Sequence, residues 1–198
     1  MSVTQYLFNK GFGKGSFEGH CQNCKEQVMD LINLTNKKNI NIMEIGFNAG
    51  HSAEVFLRNN INLTLTSFDL GYYSYVKIAK EYIDLTYKNR HSLILGDSTI
   101  SVPEFYNKNK NVKFDVIFID GGHDYETAKA DIDNCKNFAH NDTILILDDT
   151  MYKKEWEQPY TVGPTKIWKE YVTERKIIEL CKKDYQNGKG MSWGKYVM

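Results

Sequence analysis

The stretch FDVIFIDGGHDYETAKADI, from Phe114 to Ile132, carries the densest chemistry in the sequence. Asp120 closes an apolar, β-branched run, two glycines follow, and His123 stands three residues beyond the aspartate. Further along, Ile146-Leu147-Asp148-Asp149-Thr150 ends a second such run. If the two runs are neighbouring strands, Asp120, Asp148 and Asp149 arrive at one rim of a sheet. Three carboxylates in one place repel one another and rise in pKa unless a cation neutralises them. A hard divalent ion with oxygen ligands, magnesium first, answers that need. Such an ion also lowers the pKa of a bound hydroxyl and fixes its direction. An imidazole, whose ordinary pKa is ~6.5, can then take the proton, a role that falls to His123. The plain alternative is a set of ordinary strand-end carboxylates and a histidine at a helix start. Asp124 and Glu126 read as first-turn residues favoured by the helix dipole, and Asp131 and Asp133 as surface charges.

A second constellation lies upstream. Glu44-Ile45-Gly46-Phe47-Asn48-Ala49-Gly50 follows the first β-branched run. Glycines at 46 and 50 permit a tight turn and close approach of a ligand to the backbone. The spacing is G-x-x-x-G, unlike the G-x-G-x-x-G that cradles a dinucleotide pyrophosphate, so another nucleoside ligand is expected. Asp69, ending the next strand, is placed to accept from ribose hydroxyls. Gly96-Asp97-Ser98 ends the third, where Asp97 can accept from the exocyclic amine of adenine. Any one of these signals is a common turn or helix cap. Three in order at successive strand ends are harder to explain that way.

These residues need a scaffold, and the hydrophobic pattern supplies one. Strands are expected at Ile40–Ile45, Leu63–Phe68, Leu93–Leu95, Phe114–Ile119 and Thr143–Leu147. Helices are expected at His20–Thr35, Ser52–Arg58, Ser74–Tyr87, Val102–Tyr106 and Tyr125–Phe138. Alternation of this kind implies crossover units and a parallel sheet. The tail departs from it: Ile177–Leu180 and Trp193–Val197 flank Asn187-Gly188-Lys189-Gly190 and read as a closing antiparallel hairpin. Gly163-Pro164-Thr165 reads as a loop and helix start. Residues 1–19, with four glycines, read as a mobile arm or lid, and residues 20–198 as a single domain.

At this point the chain resembles the class I S-adenosylmethionine-dependent methyltransferases. The resemblance, strongest from Cys21 to Thr150, implies a Rossmann-like α/β sandwich: a mostly parallel seven-stranded sheet with a C-terminal antiparallel hairpin. It implies that Glu44, Gly46, Phe47, Asn48, Gly50 and Ser52 surround the methionine part of the donor. Asp69 then holds the ribose, Gly96, Asp97 and Ser98 meet the adenine, and Asp120 borders the donor. The I-D-G-x-H stretch is similar to metal-dependent small-molecule O-methyltransferases of the catechol and the antibiotic- and sugar-modifying kinds. That implies Asp120, Asp148 and Asp149 as magnesium ligands, His123 as base, and a small-molecule or sugar hydroxyl as acceptor. The catechol kind commonly has asparagine at the position of Asp149, which tilts the reading toward the sugar-modifying branch. A homodimer is a further expectation from the family. Metal-independent transfer on the same fold, or S-adenosylmethionine binding without catalysis, are the alternatives.

Composition narrows the field. The chain has 198 residues, 41% hydrophobic and 25% charged, with 25 basic and 25 acidic side chains. A neutral chain lacks the broad positive field that holds a phosphate backbone, so nucleic acid is not the expected partner. Methylation of DNA base amines is disfavoured further, because Asp-Gly-Gly-His stands where those enzymes carry an Asn/Asp-Pro-Pro-aromatic motif. No apolar run reaches the ~20 residues that span a bilayer, and none near the amino terminus has signal-peptide length. Four cysteines are too few for a disulfide scaffold, so a cytoplasmic setting is expected. Cys21-x-x-Cys24 beside His20 lacks a second close pair for zinc and reads as two helix-surface or half-buried thiols. Tyr72, Tyr73, Tyr152, Trp156, Tyr160 and Trp168 are candidates to line an acceptor pocket.

Overall fold

The chain alternates strand and helix because its short apolar runs are too brief for helices and too apolar for exposed strands. The computed structural model describes residues 1–17 and 21–198. In chain order the elements are α1 (Val3–Asn9), α2 (Lys25–Thr35), β1 (Asn41–Ile45), α3 (His51–Asn59), β2 (Thr64–Asp69), α4 (Ser74–Thr86) and β3 (His91–Leu95). They continue with α5 (Ser98–Lys108), β4 (Val116–Ile119), α6 (Tyr125–Lys136), β5 (Ile144–Asp148), α7 (Pro159–Thr173), β6 (Ile177–Tyr185) and β7 (Lys189–Tyr196).

The seven strands form one sheet in the order β3-β2-β1-β4-β5-β7-β6. The first five are parallel, and β7 runs antiparallel to both β5 and β6. The sheet is Rossmann-like, as expected. Strand order reverses at β1 and β4, so the carboxyl ends of these two strands form the crevice where ligands of open α/β sheets bind.

The period of two along the central strands sorts their side chains between two cores. Ile42, Val116, Phe118, Ile144 and Ile146 face one side, packed with α3, α4 and the amino-terminal helices. Met43, Ile45, Ile117, Ile119, Leu145 and Leu147 face the other, against α5, α6 and α7. Both faces are covered, which is why these strands read as unbroken apolar runs.

Several sequence expectations are corrected. Gly163-Pro164-Thr165 lies inside α7 rather than in a loop. A Cβ on Gly163 would fall 2.3 Å from the His123 carbonyl oxygen, so the glycine lets α7 press on the turn that carries His123. Helix α5 starts at Ser98, well before Val102, because Asp97 caps it through the Thr99 amide at 2.9 Å. The hairpin strands extend inward to Tyr185 and Lys189, with an irregularity between Glu179 and Cys181. Asp131 is fully buried rather than a surface charge, and burial pushes its carboxyl up to about 6. Asp133, by contrast, accepts from the Tyr171 hydroxyl at 2.7 Å.

The helix expected from His20 begins at Lys25, after a short 3-10 turn at Cys21–Asn23; His20 and Gly19 lie outside the described residues. Within residues 1–17, expected as a mobile arm or lid, α1 packs on α3 and α4 with Val3 and Leu7 fully buried. Among the described residues no helix is long and apolar enough to cross a membrane.

Candidate active site

A cavity of about 740 Å³ opens at the carboxyl ends of the parallel strands. It gathers Gly46 and Asn48 after β1, Asp69 at the end of β2, and Gly96, Asp97 and Ser98 after β3. Asp120 and His123 after β4 join them, with Asp148 and Asp149 at the end of β5. Glu44, Phe47, Gly50 and Ser52 do not line it. They lie behind the glycine turn: the buried Glu44 accepts from the Ser52 and Ser67 hydroxyls, and the Phe47 ring packs against Gly50 and His91. Burial pushes the Glu44 carboxyl up to about 7, against the pull of the two serines.

The turn after β1 depends on its glycine and asparagine. Gly46 has a φ of 94°, and a Cβ there would sit 1.9 Å from the Asp120 carbonyl oxygen. The ends of β1 and β4 can therefore touch only at a glycine. Asn48 adopts a φ of 48°, and its amide donates to Asp69 Oδ2 at 2.7 Å. The Gly71 amide donates to Asp69 Oδ1, also at 2.7 Å. One carboxylate thus ties together the turns after β1 and β2. Asp97 holds the Thr99 amide and hydroxyl on a single oxygen, Oδ1.

The other end of the cavity is acidic. Ligand atoms of Asp120, His123 and Asp149 all lie within 4.8 Å of one another. His123 Nε2 is 2.9 Å from Asp149 Oδ2. Asp148 does not join that group as the sequence reading expected. Its carboxylate accepts from Gln27 Nε2 at 2.7 and 2.8 Å, and Oδ1 also takes the Asp149 amide at 2.8 Å. Burial, then the charges of Asp148 and Asp149, push the Asp120 carboxyl well above its usual range. Burial and then Asp149 raise Asp148 to about 7, with Lys189 opposing. Carboxylate oxygens crowded in this way suit a hard divalent ion, and one imidazole is compatible with it.

Comparison with known proteins names the fold. The sequence model of a family described as a methyltransferase domain matches residues 43–150, more than half of the chain. The chain belongs to this methyltransferase family. An O-methyltransferase from Bacillus cereus, solved with S-adenosylhomocysteine, superposes with a TM-score of 0.73 at 17% identity, covering 98% of this chain and 88% of that one. TomG from Streptomyces achromogenes, an O-methyltransferase of tomaymycin synthesis solved with S-adenosylmethionine, gives 0.74 at 13% identity, covering 99% and 88%. A TDP-rhamnose 3'-O-methyltransferase of calicheamicin biosynthesis gives 0.65 at 16%, covering 98% and 90%. No curated protein matches the chain by sequence. The fold is that of the class I S-adenosylmethionine-dependent methyltransferases.

Three residues at or just behind the acidic end of the cavity escaped sequence reasoning: Lys189, Cys21 and Gln27. Lys189, at the start of β7, is the sole lysine or arginine among the cavity-lining residues. Burial opposes its charge, yet Asp148, Asp149 and Asp120 together hold its ammonium above the usual range. The sequence showed it only as part of a turn. Cys21 lines the cavity and is buried, and burial, then Asp148 and Asp120, raise its thiol. Gln27 reaches in from α2, a helix whose amphipathic pattern gave no sign that an amide would face the core. Tyr160, one of several aromatic candidates, stands 5.7 Å from His123 between ring centres, and its hydroxyl donates to the Gly188 carbonyl at 3.3 Å. Tyr72 and Tyr73 line the cavity near Asp69, whereas Trp168 is in the core with its indole N–H on Glu179.

Proposed function

We propose that this methyltransferase moves a methyl group from S-adenosylmethionine to a hydroxyl oxygen of a small molecule or sugar, with a divalent cation assisting. The observation that carries the proposal is the cluster of Asp120, His123 and Asp149 within 4.8 Å, in one cavity with Gly46, Asp69 and Ser98. In this reading Asp69 meets the ribose hydroxyls, Asp97 and Ser98 border the adenine, and Gly46 and Asn48 meet the methionine part. Six aspartates line the cavity against one lysine, a balance that suits cationic groups.

Asp120 and Asp149, with Asp148 beside them, would hold a magnesium-class cation. Such a cation acidifies a hydroxyl and fixes its direction. His123 accepts the hydroxyl proton, oriented through Nε2 by Asp149. Transfer to oxygen is an in-line displacement, so alignment by Tyr160 and the cavity wall contributes much of the rate. The sugar 3'-O-methyltransferase among the structural neighbours makes a sugar a natural first acceptor class to try.

A second reading rests on the 2.9 Å His123–Asp149 pair, which resembles a base with its orienting acid and could act without metal, with Lys189 as the resident cation. A chelator with magnesium add-back separates the two. Methyl transfer to a panel of sugar and phenolic hydroxyls should stop with chelator and return with magnesium. Full activity in chelator would leave only the second reading standing.

A further inference from the structure

Gln27 lies in α2, outside the stretch matched by the family, yet its side chain ends in the acidic centre. It is fully buried. Its Nε2 donates to both oxygens of Asp148, while its own Oε1 finds no partner. The orientation is fixed by chemistry, because a flipped amide would set its carbonyl oxygen against the carboxylate. A buried amide that leaves its acceptor unmet is there for its donor.

The lone pairs of Asp148 can be counted. Oδ1 takes Gln27 and the Asp149 amide, which fills it. Oδ2 takes Gln27 alone and keeps one lone pair free. We infer that Gln27 is a positioning residue for the cation centre: it holds both oxygens of Asp148, the carboxylate that accepts the Asp149 amide, and so sets Asp149 beside Asp120. The inference rests on the metal-assisted reading above and extends it to a residue no sequence motif touches. Outer hydrogen-bond partners of this kind orient ligands, and their loss typically weakens metal binding 10–100-fold.

The test is Mn²⁺ affinity, read by electron paramagnetic resonance on the full chain and on Gln27→Met, which keeps shape and removes the donor. Affinity should fall at least about tenfold in Gln27→Met, while S-adenosylhomocysteine affinity stays within about twofold. Unchanged Mn²⁺ affinity in the folded variant overturns the inference and leaves the metal reading intact. No Mn²⁺ uptake by the wild-type chain overturns both. Wild-type protein gives a check that does not depend on the variant folding. Mg²⁺ should move the Gln27 carboxamide cross-peaks in a ¹⁵N–¹H spectrum, and unmoved peaks at saturation contradict the inference.

Discussion

The two ends of the cavity handle their carboxylates differently. At the end lined by Gly46, Asn48, Asp69 and Asp97 the acids are satisfied by the chain itself. Asp69 receives the Asn48 and Gly71 amides and Asp97 caps α5, while Glu44, behind the cavity wall, is closed off by two serines. At the other end Asp120, Asp148 and Asp149 face one another with Lys189 and His123 as the nearby nitrogen groups of the cavity wall. A divalent ion would bring three carboxylates and one ammonium to neutrality. In the proposed reading one end is preformed for the methyl donor, and the other is a charge cluster that a divalent cation would balance.

That contrast can be broken most forcefully at His123. His123→Gln should lower kcat by about 10²–10⁴-fold while leaving S-adenosylhomocysteine and Mn²⁺ affinity nearly unchanged. A loss confined to KM would remove the proton-transfer role. Next, Asp69→Asn should weaken S-adenosylhomocysteine by roughly 10–100-fold, the worth of charge-assisted hydrogen bonds. Calorimetry on that variant should find Mn²⁺ uptake intact, because the two ends are held by separate residues. If both ligands weaken together, the two-part division is wrong.

Lys189→Met sharpens the comparison with a change of opposite sign. Removing the resident cation leaves the acids more negative, so Mn²⁺ should bind several-fold more tightly near pH 8. Weaker binding would mean that Lys189 organises the centre rather than competing for it. A separate effect, on stability and away from the cavity wall, concerns pH. Glu44 is raised to about 7 in the folded chain, so the folded state holds a proton that the unfolded state releases from about 4.5 upward. Stability contributed by this group is therefore full below about pH 4.5 and lost as pH rises to about 7, a change on the order of 3 kcal/mol. In Glu44→Gln the denaturation midpoint should lose that part of its fall across this window. An unchanged slope would place Glu44 outside the account.

The parallel sheet was legible because buried strands leave unbroken runs such as IFI and ILIL, each punctuated by an acid or glycine at its carboxyl end. The same punctuation brought out Gly46, Asp69, Asp97, Asp120 and Asp149 as cavity residues. What escaped the sequence was set by tertiary contact. Pro164 and Gly163 signal a loop locally, yet α7 needs a glycine to approach the His123 carbonyl. Asp131 follows a surface-like pattern on α6 but is buried, with a Cβ at Gly121 falling 2.9 Å from its carboxylate. Gln27 and Lys189 reach the acids across more than a hundred and about forty positions of chain, respectively, and no local period encodes such a meeting.

The central claim is that the acidic end binds a divalent cation through Asp120. Electron paramagnetic resonance of chelator-stripped protein titrated with Mn²⁺ tests it most directly, with wild type beside Asp120→Asn. The account predicts one bound Mn²⁺ per wild-type chain, displaced by Mg²⁺, and none in the variant. Wild-type protein that leaves all Mn²⁺ free, or a variant that binds it as well as wild type, would contradict it.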